Sequence, residues 1–288
     1  MKTRIISGVV MALIVAAFLS LGILVSPLFI TAFIAAVTAV AIYELLHNAA
    51  GIKSRAALVG ACAYSVLNVF ALDSNTVDFI NKNILHISPE NSMPPVSRFE
   101  LSTALSIIFF IFAAATTLKE HKEFNLTHIA TLAAMPIALS FAFSSLSAVL
   151  SHEKGIFYLL MLLNFSSVCD MGAYFAGSTL GRHKLCPEIS PKKTVEGAVG
   201  GILSSIVVSL ILVFAFSATE KLIAALILTV PFCILGMIGD LFASAVKRTA
   251  GIKDYGSLIP GHGGILDRFD SIIMIAPLFS LFVSLGAI

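Results

Sequence analysis

Residues 221–246 read KLIAALILTVPFCILGMIGDLFASAV, and after the lysine at the head the only charged side chain is Asp240. A run this long and this apolar fits the ~20 residues a helix needs to cross the hydrocarbon of a bilayer. Within lipid a segment must satisfy its own backbone N–H and C=O groups, which a helix does. Comparable runs occur at 5–24, 27–46, 55–72, 101–118, 128–149, 155–178, 195–217 and 268–287, nine spans in all with 221–246. The expected fold class is therefore all-α, a polytopic integral membrane helix bundle of about nine transmembrane helices. Residues 55–72 are the weakest of these spans, being short. With 58% hydrophobic residues, 12% charged and a mean hydropathy of +1.00, the chain is excluded from the ordinary soluble domains.

Lysine and arginine set the expected orientation. With the N-terminus inside, 4 of the 18 (Lys82, Arg98, Lys154 and Lys221) fall on the outer side, leaving 14 on the cytoplasmic side. The opening Met1-Lys2-Thr3-Arg4 before an apolar run resembles a secretory signal. That run exceeds the usual signal core and leads straight into a second span, so a retained first helix is expected. A net charge of +2, with no basic tail, gives no case for a nucleic-acid partner. Cys62, Cys169, Cys186 and Cys233 form no CxxC pair and read as small buried hydrophobes.

The longest polar insert, residues 73–100, reads as a solvated connector on the outer side, with Asp73, Asp78, Glu90 and Glu100 spread through it. Residues 1–150 hold almost no ionisable groups at membrane depth and read as a scaffold with possible dimer contacts. Residues 151–288 carry Asp170, Glu196, Asp240, Asp267 and Asp270 and read as the catalytic region with its cytoplasmic loops.

Carboxylates at membrane depth are costly, and such groups are functional by default. Asp170 lies in SSVCDMGAYFAGSTLGRHK, where Ala173, Gly177 and Gly181 recur every four residues and admit a close helix neighbour. Ser190-Pro191-Lys192-Lys193-Thr194-Val195-Glu196-Gly197 predicts a helix start, with Ser190 at the N-cap and Pro191 at N1. A helix N-terminus beside two lysines attracts anions. Glu196 is open to two readings, a metal ligand or a neutralising partner for Lys192 or Lys193.

The third cluster runs from Asp240 to Asp270. Asp240, Ser244, Lys247 and Arg248 share a helix face, and Asp267 and Asp270 lie three apart at the next helix start. Between them stand Lys253-Asp254 and the turn Pro260-Gly261-His262-Gly263-Gly264. Hard oxygen ligands suit magnesium, which usually keeps waters and substrate phosphates in its shell. Consecutive backbone N–H groups in a Gly-rich turn can form a nest for a phosphate. Taken singly, the Lys-Arg pair would be an interfacial anchor and His262 a structural residue; the combined spacing favours a divalent metal with a phosphate.

The run from Ser244-Ala-Val-Lys247-Arg248 through Lys253-Asp254 to Pro260-Gly-His262-Gly263-Gly264-Ile-Leu-Asp267-Arg268-Phe-Asp270 resembles the signature of the phosphatidate cytidylyltransferases, or CDP-diglyceride synthases. Residues 170–201 resemble a second stretch typical of the bacterial members. The resemblance implies transfer of CMP from CTP to phosphatidic acid, giving CDP-diacylglycerol and pyrophosphate, at the cytoplasmic face of the bacterial inner membrane. It also implies a Mg²⁺ centre on Asp240, Asp267 and Asp270, with Asp170 as a further ligand, and allows a K⁺ ion beside it. Lys247, Arg248 and Arg268 would then serve catalysis. Ser190, Lys192, Lys193, Ser244, Lys253, His262, Gly263 and Gly264 would meet substrate phosphates. Membrane lipids surround such a chain, and its GxxxG faces favour a homodimer.

Two other classes bury carboxylates in membranes. An ion-coupled transporter would place them near the midplane in inverted repeats, and no repeat is visible here. A CDP-alcohol phosphotransferase would need a denser aspartate-glycine-alanine-arginine motif, which this chain lacks.

Overall fold

The structure is a computed structural model that describes residues 2–85 and 95–288, the side chains of residues 2–5 excepted. In chain order its elements are α1 (Lys2–Leu24), α2 (Leu28–Tyr43), α3 (Arg55–Leu72), α4 (Ser74–Asn83), α5 (Arg98–Lys119), α6 (Leu126–Leu150), α7 (Gly155–Leu163) and α8 (Cys169–Leu180). Strands β1 (Lys184–Cys186) and β2 (Ser190–Thr194) follow, then α9 (Val195–Ala215), α10 (Leu222–Thr249) and α11 (Leu266–Ser284). A π-helical turn, Glu44–Ala49, prolongs α2, and another, Asn164–Val168, joins α7 to α8.

Among the described residues 8 helices are long and apolar enough to cross a membrane, which bears out the polytopic helical class. The ninth expected span forms as α11 but stands outside that set, because Asp267, Arg268 and Asp270 crowd its start. Proline lies inside α6, α10 and α11, at Pro136, Pro231 and Pro277. Membrane helices tolerate such breaks where neighbours satisfy the freed backbone groups.

The chain divides into two compact units. The first comprises Met1–Ala148 and Asp254–Arg268. Here α2 packs on α1 and α3, and α3 on α5. Polar side chains tie the helices together. Ser102 Oγ donates to Asn68 Oδ1 at 2.7 Å, and Asn68 Nδ2 donates to Ser140 Oγ at 2.8 Å. Lipid tails are as apolar as leucine, so such bonds and close packing replace the hydrophobic drive of a water-soluble core.

The polar insert differs from the expected solvated connector. Asp73 is buried, caps α4 through Thr76 N at 3.0 Å, and accepts from Ser147 Oγ at 2.9 Å. Glu100 closes a capping box with Ser97 at the start of α5. Local capping chemistry therefore uses two of the acids assigned to solvent, while Glu90 lies outside the described residues.

The second unit comprises Val149–Lys253 and Phe269–Ile288. Its core is aromatic. Phe165 stacks on Phe232 with ring centroids 5.3 Å apart, and Phe279 meets both edge-on at 5.6 and 5.4 Å. A Cβ on Gly201 would stand 2.6 Å from the Cys169 carbonyl, and one on Gly197 2.7 Å from that of Ala173. Only glycine lets α8 and α9 come so close. The small-residue faces are thus used within one chain, which removes the reason for expecting them between two copies. Asn164, in the π turn, donates to Ser205 O at 3.0 Å and Ser209 Oγ at 2.9 Å.

The predicted helix start at Ser190-Pro191 is not found. Ser190–Thr194 is a strand, antiparallel to β1, with Lys184 opposite Thr194 and Cys186 opposite Ser190. Pairing with β1 keeps the chain extended from Ser190 to Thr194, past the point where the helix would have begun. The N-cap falls to Thr194, whose Oγ1 accepts from Gly197 N at 3.1 Å.

Candidate active site

In the second unit three helices and a strand deliver the charged side chains. Asp170 comes from the first turn of α8, Asp240 from α10, Asp270 from α11 and Lys193 from β2. Lys193 Nζ forms an ion pair with Asp240 Oδ2; each side chain is partly exposed, but the ammonium nitrogen itself is buried. Asp170 feels the charges of Lys193 and Asp240, and Asp270 those of Asp240, Lys247 and Asp170. Ser244 Oγ lies 3.5 Å from Asp240 Oδ1, one turn along α10, and Lys247 is buried a turn beyond. Ser271 N donates to Asp270 Oδ1 at 2.8 Å, fixing that carboxylate. The approach of α11 to α10 rests on Gly239, where a Cβ would stand 3.0 Å from the Asp270 carbonyl.

Other residues of this unit surround the hairpin and the end of α10. Ser190 and Lys192 stand on β2, with Lys192 exposed. Arg248 and Lys253 are exposed, and Arg248 Nη1 donates to Ile252 O at 3.4 Å. Glu196 follows neither of its two readings. It accepts from the backbone N–H groups of Arg182, at 3.0 Å, and His183, and pairs with His183 Nδ1 at 2.6 Å. Its place in the first turn of α9 turns it back onto the chain entering β1.

In the first unit the Gly-rich stretch folds into a tight turn. Ile259 bridges Gly263, and Gly261 and Gly263 take φ of 78° and 86°, which a side chain would strain. Of the amides expected to face a phosphate, that of Gly264 is committed elsewhere, as are those flanking the turn. Asp267 Oδ2 accepts from Tyr255 N at 2.7 Å and Gly264 N at 3.0 Å. Ile265 N and Leu266 N donate to the two carboxylate oxygens of Glu44, at 3.1 and 2.9 Å. The Gly264 amide is therefore not open to an anion, because the Asp267 carboxylate accepts from it. His262 Nδ1 lies 2.8 Å from Ser7 Oγ, and Arg268 is exposed.

The amino-acid pattern of the Cytidylyltransferase family matches residues 2–285. The chain belongs to that family. It is 33% identical to the phosphatidate cytidylyltransferase of Bacillus subtilis (strain 168) over 285 residues, covering 99% of this chain and 98% of the other. It is 31% identical to the protein of that name from Staphylococcus haemolyticus over 198 residues, covering 69% of this chain and 75% of the relative.

For a member of the Cytidylyltransferase family, the acids are arranged less simply than expected. Among the described residues no three His, Cys, Asp or Glu side chains stand close enough to hold a metal ion. The expected set of Asp170, Asp240, Asp267 and Asp270 is therefore not a ready-made cage. Asp240 is turned to Lys193, and Asp267 to the backbone of its own turn. The donors still suit magnesium, which binds through one or two carboxylates and completes its shell with water and substrate phosphates.

Sequence reasoning missed Glu44, which is 4% exposed. Its signal was present as a lone carboxylate within the apolar run 27–46. Asn48, one helical turn further on, donates to Tyr255 O at 2.6 Å and carried no such signal.

Proposed function

We propose that the chain transfers CMP from CTP to phosphatidic acid, giving CDP-diacylglycerol and pyrophosphate, at the cytoplasmic side of a bacterial inner membrane. The observation that carries the reading is the ion pair of Lys193 with Asp240, with Ser244 and Lys247 further along the same helix, in a chain aligned end to end with a phosphatidate cytidylyltransferase. A phosphate oxygen of phosphatidic acid attacks the α-phosphorus of CTP, a new P–O bond forms, and the α–β bridge breaks to release pyrophosphate. The nucleophile is already an anion, so no activated serine or general base is needed. What remains is in-line positioning and charge neutralisation.

Lys193 and Lys247 supply cations inside the cluster, with Lys192, Arg248, Lys253 and Arg268 on exposed positions to gather polyanions. Ser190, Ser244 and His262 offer further polar contacts. One or two of Asp170, Asp240 and Asp270 would hold Mg²⁺, with water and substrate phosphate completing its shell, and the ion when bound withdraws charge from phosphate oxygens. A K⁺ ion beside it would act in the same sense. Asp267 shapes the turn that carries His262, Gly263 and Gly264. A homodimer would use a face other than the α8–α9 seam.

Purified protein in detergent, given CTP, phosphatidic acid and Mg²⁺, should release pyrophosphate and form CDP-diacylglycerol. Ion flux without pyrophosphate would point to a transporter, and consumption of CDP-diacylglycerol with an alcohol to a phosphotransferase.

A further inference from the structure

We infer that Glu44 is a positioning residue that holds the turn Tyr255–Leu266 in its working shape from a helix more than two hundred positions away in sequence. The inference rests on the proposed cytidylyl transfer, since it assigns that turn to the site. Glu44 opens the π-helical turn after α2 and is buried. Its two oxygens take the amides of Ile265 and Leu266, where α11 begins. A helix start leaves its first N–H groups without intrahelical partners, and a carboxylate there accepts the bonds and faces the positive end of the dipole. The cap normally comes from the residue before the helix; here it comes from a different helix.

The glycines of the turn fit the same reading. A Cβ on Gly264 would lie 2.6 Å from the Glu44 carboxyl carbon, and one on Gly256 2.7 Å from it. At both positions the three atoms nearest to that Cβ all belong to the Glu44 side chain. The space a glycine gives at these two positions is therefore taken by the Glu44 carboxylate and not by a substrate phosphate. Asn48, on the same turn as Glu44, adds a bond to Tyr255 O, and Asp267 takes the amides of Tyr255 and Gly264. Three side chains thus fix both ends of the turn that carries His262.

Hydrogen–deuterium exchange on the full-length protein in detergent reads this directly, in peptides covering residues 254–268. Glu44→Ala should speed exchange of the Ile265 and Leu266 amides about tenfold or more, each having lost a charge-assisted bond. Glu44→Gln keeps the volume and one acceptor oxygen and should recover part of that protection. Turnover of CTP per folded molecule should fall in the same order, with Gln above Ala. Gly264→Ala should loosen the turn in the wild-type background and add nothing further to Glu44→Ala, because the colliding group is then gone.

Unchanged exchange in Glu44→Ala would overturn the inference. So would faster exchange with unchanged turnover. If Glu44→Ala does not fold, Glu44→Gln and Gly264→Ala decide by the same readouts. A wild-type protein that releases no pyrophosphate would overturn the functional reading, while the exchange series would still decide whether Glu44 holds the turn.

Discussion

Asp240 has its charge held by the Lys193 ammonium, and that fixes what its removal does. Asp240→Asn keeps the volume and loses the charge that pairs with Lys193 and that the proposed divalent cation would need. Pyrophosphate release at saturating Mg²⁺ should fall about a hundredfold or more, with the protein still inserted and folded by thermal unfolding in detergent. Near wild-type turnover would remove Asp240 from the proposed metal centre, and loss of folded protein would make it structural. Asp170, Asp240, Asp270 and Lys247 were legible in the sequence because a charge inside an apolar run is too costly to be accidental. Glu44 obeys the same rule but stands alone in its run, with no neighbouring motif to mark it. The Lys193–Asp240 pair was not legible, because it joins a strand to a helix 47 positions on and depends on tertiary placement.

Among the elements, the long helices could be read from hydropathy, since the bilayer fixes their length. What failed were the short pieces decided by caps and turns. The start of β2 reads as a helix start because Ser-Pro satisfies N-cap preferences in isolation; strand pairing with β1 and the cap at Thr194 win in the folded chain. Helix α4 was hidden because its apolar side is narrow, with only Val77 buried. The two π turns leave no mark in hydropathy. Thr194→Ala should cost about 1 kcal/mol of stability, seen as a small drop in Tm. Gly201→Val should do far more damage, because its methyls would meet the Cys169 carbonyl and Ala173. A Gly201→Val protein with unaltered Tm would mean that α8 and α9 do not touch as described.

For the whole molecule, the orientation drawn from lysine and arginine is open to direct labelling. In a background lacking the four native cysteines, Lys192→Cys and Ser257→Cys should react with an impermeant maleimide only from the cytoplasmic side, and Asn83→Cys only from the other. Ser257 is the better probe in its turn, since a side chain at Gly256 would strike Glu44. Labelling of Asn83 and Ser257 positions from the same side would overturn the span count, most directly at α3. The first unit also has a history in time. Ile265 follows Glu44 by 221 positions, so the ribosome delivers the carboxylate long before its partners. Through all that synthesis the second span carries a charge that nothing downstream has yet capped, and the bilayer resists taking it in. Any chain that stops short of Ile265 keeps that defect for good. Such fragments should be the ones that membrane proteases clear fastest in a pulse–chase, with Glu44→Leu slowing their loss.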